Sequence, residues 1–289
     1  MANFSTQWIK VSEPSPHVFH VELARDPVNA FSSEYWREYG RLFETLTKTH
    51  ASGTDIRAVV ISSVFPKIFT AGLDLKSATD LGSSTSDTSQ DSARASLAMR
   101  KVLVEFQQAI NAPERCPFPV IVALHGPVIG LGVDLMSACD VRYAASNASF
   151  SIKEVDIGLA PDIGTLAHLP KITGNLSLVR ELTYTARYFS AAEAEKLGLV
   201  SKVVDGGRDA VVAAALELGK VIASKSPVAV ASAKHLITHA RDHSVAENLA
   251  YTGAWNAAAL MTKDISENMR AMKAKDRPRF AALGISSKL

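Results

Sequence analysis

The stretch PVIVALHGPVIGLGVDLMSACDVRYA, Pro119 to Ala144, decides how this chain is read. Its opening run, VIVAL from Val120 to Leu124, is short, apolar and β-branched, the composition of a strand buried on both faces. HGPVIGLG follows, with Gly126, Gly130 and Gly132 in a G-x-x-x-G-x-G pattern, and a short helix is expected from about Leu131 to Ala138. Strand, glycine turn and helix form a setting that can seat a nucleotide pyrophosphate on the helix N-terminus. Three features oppose that use. The pattern lies mid-chain, the next acids are Asp134 and Asp140 instead of one about 20 positions on, and no Tyr-x-x-x-Lys pair follows. Two other uses stay open: close packing of strand on helix, or free backbone N–H groups offered to an oxygen that gains charge during a reaction. A second turn, Ala71-Gly72-Leu73 within FTAGLDL, also follows a predicted strand. Two such turns could converge on one oxygen.

Working toward the N-terminus, WIKV near Trp8 and VFHVEL from Val18 to Leu23 alternate as a hairpin does. Tyr35, Tyr39, Leu42, Phe43 and Leu46 recur at helical intervals behind Ser32, with Glu34 in the first turn. RAVVISSV, Arg57 to Val64, reads as a strand, and the polar stretch 77 to 92 as a surface loop. Met99, Leu103, Phe106 and Ile110 restore a helical period that stops near Pro113. Beyond the central stretch come two extended pieces, Val141 to Tyr143 and Ser149 to Ile152, and then a mostly helical last third. Capping boxes are expected at Ser190/Glu193 and Ser244/Glu247, and an N-cap at Ser226 before Pro227.

Composition narrows the class. A chain of 289 residues, 47% hydrophobic and 21% charged, with 16 Gly and 12 Pro, is an ordinary folded protein with no need of a disulfide staple. A formal charge of +2 gives no field to hold nucleic acid or an anionic membrane, and no nucleic-acid partner is expected. Cys116 and Cys139 lack the spacing of a metal or redox pair, so no metal site is expected and a reduced compartment fits. The longest apolar stretch, Val120 to Met136, is broken by His125, Gly126, Pro127 and Asp134, short of the roughly 20 residues a membrane span requires. The N-terminus carries neither a signal-peptide core nor an Arg-rich presequence. Ser287, Lys288 and Leu289 end the sequence as the tripeptide read by a peroxisomal import receptor, so peroxisomal location is expected.

FTAGLDL (Phe69 to Leu75), the central stretch, and FSIKEVDIGLAPDIGTLAHLP (Phe150 to Pro170) together resemble the enoyl-CoA hydratase/isomerase (crotonase) superfamily. The likeness runs from about Val18 to Phe280 and includes FSAAEAEKLGLVSKVV, Phe189 to Val204. It implies an α/β fold: a spiral of repeated strand-strand-helix units as catalytic core (residues 1–205), then a C-terminal helical trimerisation region (206–289). It also implies coenzyme A thioester substrates, no separate cofactor because coenzyme A is part of the substrate, and a homotrimer or hexamer. The family's oxyanion-hole N–H groups fall on Leu73 and Leu131, with Ala71, Gly72, Asp74 and Gly130 placed against the substrate. Many members have glycine where this chain has Leu131. A backbone donor needs no particular side chain, provided Leu131 takes a negative φ.

The family's acids and bases fall on Asp134, Glu154 and Asp162. Singly, each has a bland reading: a cap or solvated residue for Asp134, a surface Lys-Glu pair for Glu154, and a helix N-cap after Pro161 for Asp162. Hydratases of the superfamily carry glutamates at the first two positions and usually glycine at the third. The combination Asp, Glu, Asp instead resembles the 3,5-dienoyl-CoA to 2,4-dienoyl-CoA isomerases. Moving a conjugated diene along its chain takes a proton from carbon 2 and returns one at carbon 6, too far apart for one short carboxylate, so two acid-base groups are needed. Asp162 and Glu154 are assigned that exchange, with Asp162 at carbon 2, and Asp134 is assigned to hold or tune the pair.

Two alternatives carry different expectations. A 2-enoyl-CoA hydratase would use Asp134 and Glu154 alone. A non-catalytic acyl-CoA or RNA-binding scaffold would want a basic patch with exposed aromatics, yet Lys273, Lys275, Arg277 and Arg279 have only Phe280 beside them. His125 is read as a hydrogen-bonded structural histidine and Cys139 as a small buried hydrophobe.

Overall fold

Five short apolar runs and one charged edge strand build the larger of two sheets. The computed structural model describes residues 4–76 and 91–284. The Ser287-Lys288-Leu289 tripeptide and residues 77–90 of the expected surface loop lie outside them. The expected hairpin is β1 (Ile9–Ser15) and β2 (Val18–Leu23), paired antiparallel. Parallel neighbours follow: β3 (Ala58–Ser63), β4 (Val120–Leu124), β6 (Val141–Ala145) and β9 (Lys202–Val204), in the order β1-β2-β3-β4-β6-β9. Every residue of β3 and β4 is buried, which requires cover on both faces. On one face, Val59, Ile61 and Val122 join the core of Tyr35, Trp36, Tyr39 and Phe43 from α1 (Ser33–Ala51). On the other, Val60, Ile121 and Ala123 meet Val211, Val212 and Ala215 of a later helix.

The smaller sheet explains the spiral. It comprises β5 (Pro127–Ile129), β7 (Ser149–Ser151) and β8 (Phe189–Ser190), with β5 parallel to β7. Single bridges Thr70↔Val128 and Phe31↔Leu73 continue it toward the N-terminal turns. After β3, β4 and β6 the chain therefore lays a short extended piece on this second layer before moving on. The sequence reading left β5 inside the glycine turn, because three residues between glycines are too few to show a period.

Helices start where short polar side chains offer caps. Ser32 accepts from the Tyr35 N–H to open α1. Asp91 caps α2 (Ser92–Ile110), so helix begins at Ser92, where a loop was expected. Pro113 does not end α2, which stops at Ile110. It sits in the first turn of α3 (Ala112–Arg115), where its missing N–H costs nothing. The central helix is α4 (Leu131–Ser137), followed by a 3-10 turn at Glu154–Ile157, α5 (Thr165–Ile172) and α6 (Leu176–Thr185). Both expected capping boxes form, opening α7 (Ala191–Leu197) and α10 (Val245–Ala259). The helix covering the back of the large sheet is α8 (Arg208–Ala223), and Ser226 caps α9 (Pro227–Arg241). α11 (Asp264–Ala274) closes the series, and large apolar residues of the last helices stand in the open, Ile237 at 72% and Met272 at 77% exposure.

The turn after β4 leaves no room for a side chain. Gly126 has φ +55°, and a Cβ there would stand 2.3 Å from the Lys67 carbonyl oxygen. Gly126→Ala is expected to destabilise the fold by about 2–4 kcal/mol in urea denaturation. Gly253→Ala, in open space within α10, is expected to be neutral or to stabilise by up to about 1 kcal/mol.

Candidate active site

Two turns are locked edge to edge by backbone bonds. Ile129 N–H donates to Thr70 O at 3.2 Å, and Phe69 N–H to Pro127 O at 3.1 Å. The Thr70 hydroxyl donates to Asn29 O (2.6 Å) and accepts from Gly72 N–H (3.0 Å). Gly72, at φ +85°, lies so close to the second turn that a Cβ on it would sit 2.6 Å from Ile129 O and 3.4 Å from Leu131 N. Phe31 N–H binds Gly72 O (2.8 Å) and Asp74 N–H binds Phe31 O (3.0 Å). The chain is thus pinned on both sides of Leu73, while the Leu73 N–H finds no acceptor among the described residues. Leu131 is the first residue of α4, a position whose N–H has no acceptor within its helix.

Leucine at 131 costs the backbone nothing. Gly130 takes the left-handed φ of +51°, and among the described residues the positive-φ non-glycine positions are His17, Asn29, Ala186 and Lys275, not Leu131. Its side chain is buried in the core. Leu73 and Leu131 therefore line one cavity from adjacent turns, an arrangement in which unpaired backbone N–H groups can stabilise charge developing on an oxygen.

That cavity has a volume of about 660 Å³ and is lined by Ala71, Leu73, Gly130 and Leu131, by Asp134, Glu154 and Asp162 together with the exposed Asp156, and by an apolar wall from α2. Met99, Val102, Leu103 and Phe106 form the wall, and Phe106 is backed by Trp36 in a stack of 4.6 Å. An acyl tail needs such a surface, since each CH₂ taken from water contributes about 0.8 kcal/mol.

The acids sit at three depths. Asp134, in α4, is 1% exposed, and its Oδ1 accepts the Thr165 N–H at 2.6 Å. Burial pushes its carboxyl up to about 6 against the pull of that hydrogen bond. Glu154 opens the 3-10 turn, with Oε1 close above Gly130, where a Cβ would lie 3.3 Å away. Its Oε2 is buried with no hydrogen-bond partner among the described residues. Burial, and next the charge of Asp134, push Glu154 up to about 7, with Asp162 adding to the rise. Asp162 stands at the exposed rim, on the loop before α5, and partial burial raises it. It is not a helix cap: α5 begins at Thr165 with Gly164 before it. The cavity thus offers a buried acid, a half-buried acid with a free oxygen, and a rim acid in reach of solvent.

The other expected residues divide. Asp74 gives its carboxylate to Arg25 at 3.0 Å and is absent from the cavity lining, while Gly72 acts through the turn it makes possible. His125 Nε2 bonds Phe65 O at 2.7 Å, and the Cys139 thiol reaches Leu135 O at 3.5 Å, both deep in the core. Sequence reasoning missed Gln107 on α2 and Asn111 at its C-cap, whose side chains bond the backbone at Asp162 and Ile163. No local signal marks them, because their partners are main-chain carbonyls more than 50 residues away. Among the described residues, no group of three or more His, Cys, Asp or Glu could hold a metal ion, and no helix is long and apolar enough to cross a membrane.

Comparison with known proteins agrees with this geometry. The enoyl-CoA hydratase/isomerase family model matches residues 13–282. The mitochondrial Δ(3,5)-Δ(2,4)-dienoyl-CoA isomerase of Homo sapiens is 46% identical over 269 residues, 92% of this chain and 79% of that protein. The peroxisomal Δ(3,5)-Δ(2,4)-dienoyl-CoA isomerase of Arabidopsis thaliana is 38% identical over 284 residues, 98% of this chain and 99% of that one. Among solved structures, the enoyl-CoA hydratase of Bacillus anthracis superposes with a TM-score of 0.82 at 28% identity, covering 96% of this chain and 100% of its own. With its spiral of paired strands and its two facing amide turns, the chain belongs to the enoyl-CoA hydratase/isomerase family.

Proposed function

We propose that this protein isomerises 3,5-dienoyl-CoA to 2,4-dienoyl-CoA in the oxidation of unsaturated fatty acids. The observation that carries the reading is the presence of Asp134, Glu154 and Asp162 around one cavity that Leu73 and Leu131 also line. In this scheme the thioester oxygen sits between the N–H groups of Leu73 and Leu131. Asp162 removes a proton from carbon 2, and the electron pair of the broken C–H bond moves into the adjacent carbonyl, placing charge on the thioester oxygen, where the two donors stabilise it, and in conjugation through the diene to carbon 6. One donor of this kind is worth about 2.7–4 kcal/mol of barrier. Glu154 then delivers a proton to carbon 6, and the charge on oxygen collapses to leave the 2,4-diene. A carboxyl held near 7 carries a proton through much of the neutral range, as a general acid must. Rim-exposed Asp162 passes its proton to solvent and Glu154 is recharged, so the cycle moves protons only and asks for no cofactor besides the substrate's own coenzyme A.

A hydratase reading draws on the names of solved relatives such as that of Bacillus anthracis, but it leaves Asp162 without a task. A silent acyl-CoA scaffold leaves the unpaired Glu154 oxygen unexplained. For assembly, we propose a homotrimer or a hexamer in which the open apolar residues of the helical region beyond residue 206 meet other copies. For location we propose the peroxisome, on the terminal tripeptide and the peroxisomal Arabidopsis relative.

Asp162→Asn and Glu154→Gln should each lower turnover of a 3,5-dienoyl-CoA, followed by the new conjugated absorbance, by about 10²–10⁴-fold with the fold intact. Near-normal turnover by Asp162→Asn would end the two-carboxylate scheme, and a 3-hydroxyacyl product from a 2-enoyl-CoA at comparable rate would favour the hydratase. Stability should track the same burial. Glu154 rises from an ordinary 4.5 to about 7 on folding, so the folded state holds its proton more tightly, and ionisation destabilises the fold increasingly as pH climbs from 4.5 through 7. Urea titrations should therefore show Glu154→Gln more stable than the parent by about 1–3 kcal/mol at pH 8, with that gain gone at pH 4. An equal effect at both values would mean that Glu154 is not held against its charge.

A further inference from the structure

The loop that carries Asp162 is held where it meets α5 by side chains from elsewhere in the chain. Gln107 Nε2 donates to Asp162 O at 2.6 Å. Asn111 Nδ2 donates to Ile163 O at 3.0 Å and to Gln107 O at 2.7 Å. Asp134 Oδ1 receives the Thr165 N–H. Between them Gly164 leaves room for the approach, since a Cβ there would press to 3.3 Å from Asn111 Oδ1 and 3.5 Å from His168 Cδ2.

The orientation of the Asn111 amide is fixed in turn. With Nδ2 facing two carbonyls, Oδ1 is the acceptor and meets His168 Nε2 at 2.6 Å. That nitrogen must carry the hydrogen, so the buried imidazole is a neutral Nε2–H tautomer whose Nδ1 is left as an acceptor. Arg241 Nη1, which can only donate, stands 3.5 Å from Nδ1 and is itself paired with Glu114 of α3. One chain of donors and acceptors thus runs from α9 through α3, α5 and α2 to the backbone beside the rim acid. None of its outer members touches the cavity.

The structure assigns Asn111, with Gln107 and His168, as positioning residues that hold the Asp162 backbone in the place from which its carboxylate reaches the substrate. The assignment rests on the isomerase reading, for which Asp162 moves a proton. Misplacement of a reacting group by about 1 Å costs on the order of 10²-fold, while the thioester grip at Leu73 and Leu131 is untouched. The effect should therefore fall on kcat and spare KM.

Gln107→Ala and Asn111→Ala are assayed on 3,5-dienoyl-CoA, each alone and each combined with Asp162→Asn. Alone, each should lower kcat by about 10- to 100-fold with KM changed by less than about threefold. On the Asp162→Asn background, the further loss in residual turnover should shrink to about twofold or less, because the group being positioned is gone. Equal losses on both backgrounds, or losses in KM alone, would overturn the assignment. If Asn111→Ala does not fold, the partly exposed Gln107 carries the test by itself. Failure of the isomerase reading looks different: Asp162→Asn would then turn over normally before any clamp residue is changed.

Discussion

Everything at this site depends on a backbone contact between two turns that are more than 50 residues apart in the chain. The Ile129 N–H bond to Thr70 O and the close seat of Gly72 against Ile129 fix the two turns to one another. Because Gly72 and Gly130 absorb the positive φ angles, Leu73 and Leu131 keep ordinary backbone where they line the cavity. Two peptide donors in a fixed frame need no reorganisation when charge arrives, which is where such a site gains its advantage over water.

The same frame sets the electrostatics. Asp134 lies on the helix that Leu131 begins, and Glu154 leans over Gly130, so the donor turn and two of the acids share one short stretch of structure. Burying acids together is unfavourable, and the chain answers with protonation: Asp134 near 6 and Glu154 near 7. Of Asp134, Glu154 and Asp162, the last is the most exposed. The gradient from buried to exposed separates a group that can give a proton from one that can take it and lose it to water.

How much of this the sequence shows depends on the range of the interactions. The hairpin, α1, the capping boxes and β4 are local matters of period and cap, and each is legible in its own residues. The three acids and the two leucines were placed by likeness to a family, and the structure brings all five to one cavity. What stayed hidden is non-local. β5 is three residues that become a strand only because Thr70 and Ser149 to Ser151 lie alongside. Asp74, expected near the substrate, is claimed by Arg25 from 49 positions away. Gln107 on α2 and Asn111 at its C-cap belong to a stretch whose apolar period says nothing of the carbonyls that their amides reach.

The central claim is that two different carboxylates serve two different carbons. Hydrogen exchange in D₂O tests it most directly, by NMR of thioesters held with each single variant. The account predicts that Asp162→Asn still exchanges deuterium into carbon 6 of the 2,4-dienoyl-CoA but no longer washes hydrogen from carbon 2 of the 3,5-dienoyl-CoA, and that Glu154→Gln does the reverse. Loss of exchange at the same carbon in both variants, or at both carbons in either one, would contradict it.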